Sequence, residues 1–179
     1  MNKKLTTKKM TAYALMTAVM CILCPMSLQI GIIPISLTNL VIYFSAYILG
    51  TRGAIWSYFI YFMLGVFGLP VFSGFSGGLS KLVGPTGGWI VGFFITAALS
   101  GIIIEKFPKN KIIQIIGIYL STFVAHAIAV LWFAFLQKTT LWYAFTVCVV
   151  PFLAIDLAKV ILSAFIGPVI ASRVRINAD

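Results

Sequence analysis

The chain has 179 residues, of which 61% are hydrophobic and only 9% charged. A soluble domain carries about 25% charged residues, and this much apolar surface exceeds what one soluble core of this length can hide. That excludes a soluble enzyme and points to a bilayer as the solvent. The net charge of +10 comes from 13 Lys and Arg against three acids. The basic residues sit between apolar runs rather than along one face, which excludes a nucleic-acid surface.

In chain order, Lys3, Lys4, Lys8 and Lys9 precede an apolar stretch to Cys24. The layout imitates a secretion signal, but further spans follow, so it reads as a retained first helix. A crossing needs about 20 apolar residues. Six are expected: Met10 to Met26, Ile35 to Gly50, Ala54 to Val71, Gly87 to Ile104, Ile112 to Leu136 and Leu141 to Ser172. The last is too long for one straight crossing, and Pro151 offers a place to break, kink or begin it. The expected fold is all-α, a polytopic membrane protein whose six transmembrane helices form one compact bundle, with residues 1–179 as a single domain.

Basic residues in short loops set the orientation. With six spans, the amino-terminal lysines, Arg52, Lys106, Lys109, Lys111, Arg173 and Arg175 share one side, and only Lys81 and Lys138 face the other. Both termini are therefore expected in the cytoplasm. The outer connections Pro25 to Ser36 and Val71 to Thr86 are long and rich in Gly, Pro and Ser, the kind of loop in which binding residues sit.

Asp156-Leu157-Ala158-Lys159 carries the strongest single signal. A charge at the centre of a membrane helix costs roughly 2.5–3.5 kcal/mol, and residues at i and i+3 share a helix face. At about 1.5 Å per residue, Asp156 lies about 25 Å outward of Arg173 and Lys159 about 21 Å. Three readings stand: a self-neutralising pair facing other helices, a polar anchor for a ligand, and a proton or ion relay. The sparseness of other charges favours the anchor. The same ruler puts Pro25 about 24 Å from Lys9 and Pro70 about 27 Å from Arg52, so the outer loops open near the height of the pair.

The segment from Gly65 to Trp89 is glycine-rich, which permits tight turns and close approach of backbone to a ligand. It lacks the phosphate-loop consensus, since Gly78 is followed by Leu79, so any ATP-driven step belongs to another subunit. His126 lies within the fifth span, where a lone histidine more often bonds across helices than acts catalytically. Cys21 and Cys24 have CxxC spacing without the second ligand pair zinc wants, so no metal is expected. Ala14 and Ala18 form a small-xxx-small pattern that allows close helix contact. Trp89 and Trp142 suit an interfacial belt, although Trp142 and Phe75 are also candidates to wall an apolar ligand.

Gly68-Leu69-Pro70-Val71-Phe72, then Ser76-Gly77-Gly78, then Gly84-Pro85-Thr86-Gly87-Gly88 resemble the BioY family. Gly31-Ile-Ile-Pro34-Ile-Ser36-Leu37 resembles its first outer loop, and Asp156-x-x-Lys159 its polar pair in the last helix. The resemblance implies the biotin-specific substrate-binding (S) component of an energy-coupling factor (ECF) transporter, in the bacterial plasma membrane. It implies that biotin is captured from outside. It also implies a transmembrane coupling subunit and two cytoplasmic ATPases as partners, with the Ala14 and Ala18 face meeting the coupling subunit. Asp156 would accept ureido N–H bonds, and Lys159 would donate to the ureido carbonyl or orient Asp156; a competing assignment sends the biotin carboxylate to Lys159. Gly31, Ser36, Phe75, Ser76, Gly77, Thr86 and Trp142 complete the expected biotin contacts. No cofactor and no catalytic residue are implied. The alternatives are an S component for another vitamin and an intramembrane enzyme using Asp156, Lys159 and His126 as acid and base.

Overall fold

The computed structural model describes residues 6–29 and 33–174. Helix α1 spans Thr7–Leu23 and is followed by a small hairpin in which β1 (Ser27–Gln29) pairs antiparallel with β2 (Pro34–Ser36). Helix α2 (Thr38–Val66) leads through a long outer connection, carrying the single-turn α3 (Leu79–Leu82), to α4 (Gly87–Lys106). Helix α5 spans Lys111–Gln137, α6 spans Leu141–Cys148, a 3-10 turn covers Val150–Phe152, and α7 spans Leu153–Val174.

Helix α2 is two spans joined without a loop. Gly50 sits at φ 72° and ψ −177° inside it, a conformation that glycine adopts without steric penalty. The two limbs fold back on each other, because Asn39 near the start and Tyr61 near the end line the same cavity. Glu105 secures the turn by accepting a 2.7 Å bond from the Thr51 backbone N–H. Placing an acid at a helix start satisfies one of its orphan donors.

With α1, the two limbs of α2, α4, α5 and the broken α6–α7 crossing, the six expected spans are present. Three segments, Gly87–Lys106, Lys111–Gln137 and Leu141–Val174, are long and apolar enough to cross a bilayer on length and hydropathy alone. The others are shorter; α1 has 17 residues. The third span ends at Val66 rather than at Val71, since the chain turns at Gly68 with φ 99°. The last span breaks beside Pro151, as its length required.

The outer connections hold more structure than their composition suggested. In the first, Ser27–Gln29 pairs antiparallel with Pro34–Ser36, and Phe72 bridges to Ser76 within the second connection.

Close backbone approach and buried hydroxyls hold the bundle together, as expected where lipid supplies little hydrophobic drive between helices. A Cβ on Gly88 would lie 2.7 Å from the Ala129 Cα, and one on Gly92 would lie 2.8 Å from the Ala125 Cα. Helices α4 and α5 therefore touch along their backbones. Buried polar bonds cross the same region. The hydroxyls of Tyr43 and Thr122 meet at 2.6 Å, Ser100 and Ser121 meet at 2.9 Å, and Tyr47 donates to Gln114 Oε1 at 3.0 Å.

Candidate functional site

The 3-10 turn ahead of α7 starts a new helix deep in the bundle, with Asp156 in its first turn. A carboxylate is favoured there, since the helix start carries partial positive charge. Lys159 follows one turn later. Both are buried, with 2% and 9% of their surface exposed, so their charges need partners from other helices.

Those partners come from α2 and α5. Asp156 Oδ1 accepts from Asn39 Nδ2 at 2.7 Å and from Lys159 Nζ at 3.3 Å. Asp156 Oδ2 lies 3.2 Å from His126 Nε2. Lys159 Nζ also donates to Asn39 Oδ1 at 2.9 Å and to the backbone oxygen of Ser36 at 2.8 Å. All three ammonium protons are therefore answered. Through Ser36 the lysine also ties the hairpin to the last helix.

This network forms one wall of a small cavity that encloses about 50 Å³. Ile33, Pro34 and Ser36 of the hairpin and Phe72 and Ser73 of the second connection border it on the outer side. Aromatic walls come from Tyr58 and Tyr61 on α2, Trp89 and Phe93 on α4, and Phe152 of the 3-10 turn. Tyr58 donates to Ile90 O at 2.8 Å and Tyr61 to Val71 O at 2.9 Å, so their hydroxyls serve the framework. Thr86 lines the cavity with a buried hydroxyl that has no partner among the described residues. The site thus combines a charged hydrogen-bonding patch with apolar aromatic walls, the composition of a small-molecule binding site. Among the described residues, no group of three or more His, Cys, Asp or Glu side chains is placed to hold a metal ion.

The sequence-based candidates separate on these coordinates. Asp156, Lys159, Ser36 and Thr86 line the cavity. Gly31 lies outside the described residues. Phe75, Ser76, Gly77 and Trp142 are not among the lining residues. The tight turn bridging Phe72 and Ser76 puts Phe75 on its outer side, 66% exposed. Ser76 spends its hydroxyl on Ser73 O at 2.8 Å. Gly77 packs against the Leu69 carbonyl, which a Cβ there would strike. Trp142 is 75% exposed, stacks on Phe145, and borders a separate groove between α5 and α6. Ala14 and Ala18 lie on the exposed face of α1.

Sequence reasoning missed Asn39, the amide that bridges both charges. Its signal was a carboxamide at the head of an apolar span, three residues after Ser36. Trp89, read as a belt residue, is 7% exposed and walls the cavity.

Comparison with known proteins agrees with this architecture. A family model, the BioY family, matches residues 1–176. The biotin transporter BioY of Thermotoga maritima is 33% identical over 152 residues, which cover 79% of this chain and 82% of that protein. The biotin transporter BioY2 of Lactococcus lactis is 28% identical over 158 residues, covering 88% and 87% respectively. A crystal structure of the S-component for biotin from an ECF-type ABC transporter superposes with a TM-score of 0.86 at 27% identity, covering 96% of this chain and 95% of that one.

Proposed function

The chain belongs to the BioY family, and on that premise we propose that it binds biotin as the substrate-binding subunit of an ECF-type uptake transporter. The observation that carries this reading is the buried charge network of Asp156, Lys159, Asn39 and His126, set into a cavity bordered by the two outer connections. Biotin has a ureido group with two N–H donors and one carbonyl, an apolar thioether ring and a carboxylated tail. Asp156 Oδ2, which among the described residues meets only His126, accepts a ureido N–H. A hydrogen bond to a charged group contributes about 1.5–3 kcal/mol.

Lys159 orients Asp156 in this mechanism, since its protons are already bound. A ligand acceptor that reaches Lys159 does so by displacing Ser36 O, so occupancy and the position of the hairpin are coupled. The aromatic walls take the thioether ring and tail. Cavities that hold small molecules measure about 300–1,000 Å³, well above the 50 Å³ enclosed here. The small enclosed space implies that the hairpin and the Phe72 turn yield as biotin enters from outside.

The protein is a substrate-binding transporter subunit and not an enzyme. Transport energy comes from partners, namely a transmembrane coupling subunit and two cytoplasmic ATPases. The exposed Ala14 and Ala18 on α1 let a partner helix approach closely. The chain sits in the bacterial plasma membrane, and the excess of basic residues in the connections on one side supports an orientation with both termini in the cytoplasm.

Equilibrium binding of labelled biotin to the detergent-purified chain tests the assignment. Saturable binding displaced by unlabelled biotin, and not by thiamin or riboflavin, is the expected result. Displacement by either of the other vitamins would reassign the substrate.

A further inference from the structure

Helices α5 and α6 part below the connection that joins them and leave a groove of about 520 Å³. Phe123, Ala127 and Leu131 of α5 border it on one side, and Leu141, Trp142 and Phe145 of α6 on the other. Apart from His126 and the Trp142 indole nitrogen, its lining side chains are hydrocarbon. Leu131, Leu141 and Trp142 are each more than half exposed. Of its lining residues, His126 alone also borders the biotin cavity, and the groove has no part in the function proposed above.

The space calls for an apolar occupant of a particular shape. Along α5 the lining runs from Phe123 to Leu131, about 12 Å at 1.5 Å per residue. One leaflet of an apolar core about 30 Å thick has a similar depth. A partner helix suits the groove poorly, because helix contacts in membranes favour small residues that let backbones approach. Here Ala127 alone is small, and Phe123, Leu131, Trp142 and Phe145 would hold a helix away. A flexible hydrocarbon chain fits between such side chains.

The outer end supplies a charge. The connection between α5 and α6, residues 138–140, closes the groove at that end. Lys138 in it is exposed and meets no acid among the described residues. A lysine at the end of an apolar groove, at the level of the membrane surface, complements a phosphate joined to an acyl chain. Trp142 nearby has the amphipathic ring that favours the headgroup level.

The geometry points to a phospholipid of the outer leaflet seated here, with one acyl chain in the α5–α6 groove and its phosphate on Lys138. The site stands on the fold and does not depend on which vitamin the cavity takes.

Fluorescence quenching tests it. Phosphatidylglycerol with dibrominated acyl chains, which quench tryptophan on contact, is titrated into the delipidated full chain in detergent. The quenching should include a saturable phase at one lipid per chain. That phase should vanish in Trp142→Phe, which removes the reporter in the groove. Ala127→Phe, at an exposed position, fills the groove and should weaken the phase at least about tenfold. Lys138→Gln should weaken it about fivefold, as expected for losing one lysine–phosphate contact. Should Ala127→Phe not fold, the surface variant Lys138→Gln carries the comparison.

Quenching that rises without saturating, a saturable phase that persists in Trp142→Phe, or equal affinity in wild type and Lys138→Gln would each overturn the site. A dimer in detergent that Ala127→Phe dissociates would give the groove to a second copy of the chain and overturn it as well.

Discussion

Replacing Asp156 with asparagine exchanges a carboxylate oxygen for an amide and leaves the size of the side chain unchanged, so its consequences are electrostatic. The Lys159 ammonium, 9% exposed, would keep Ser36 O at 2.8 Å and Asn39 Oδ1 at 2.9 Å but lose its countercharge. Leaving one member of a buried ion pair uncompensated costs about 3–5 kcal/mol. Lys159→Met creates the opposite imbalance. The carboxylate would keep Asn39 Nδ2 at 2.7 Å and His126 Nε2 at 3.2 Å, so the loss should sit near the lower end, about 3 kcal/mol. The double variant removes both charges and with them the penalty for an unpaired one. Its destabilisation should therefore fall about 2–3 kcal/mol short of the sum of the single variants. Unfolding of the three variants in detergent measures the cycle, and labelled-biotin binding is read on the same preparations. Binding should stay lost in the double variant, because neutral side chains restore packing but not the acceptor that grips the urea. A double variant destabilised by the full sum would refute the pairing argument. One that binds biotin like wild type would remove the charges from recognition.

Side chains around the site should divide according to where the fold puts them. Trp89→Ala removes a cavity wall and should weaken biotin binding at least about tenfold, in line with about 1.5–3 kcal/mol for burying a large apolar side chain. Phe75→Ala and Trp142→Ala should change affinity by less than about twofold, as expected for substitutions outside the contact. A large effect of either in the binding assay would mean that these residues reach the ligand after all. Gly92→Leu should force α4 and α5 apart at Ala125, since a Cβ alone comes within 2.8 Å of its Cα. The expected loss is about 1–3 kcal/mol or more, seen as a lower thermal unfolding midpoint with biotin binding reduced alongside it. An unchanged midpoint would show that the two backbones have room to part.

Asp156 and Lys159 were legible because each stands out in an apolar run and their spacing puts them on one face. The six spans were legible from length and hydropathy, and the break near Pro151 from a run too long for one crossing. The turn at Gly50 was visible only as a boundary between two apolar stretches. Phe75 and Trp142 were candidates to wall an apolar ligand by side-chain type alone, but the tight turn at Phe72–Ser76 and the separate course of α6 direct them elsewhere. Asn39 and His126 stood out only as a lone amide and a lone imidazole within apolar spans, and each is as readily a packing contact as a site.

Composition and charge spacing in the chain alone sufficed for a membrane solvent, the number of crossings and the buried pair, because each follows from the cost of placing polar groups in hydrocarbon. Which residues answer that pair was decided by the tertiary structure. Spans that are apolar on every side carry no marked polar face to say how they rotate. Only the close contact of Gly88 and Gly92 with Ala125 and Ala129, and the folding back of α2 at Gly50, bring His126 and Asn39 onto Asp156.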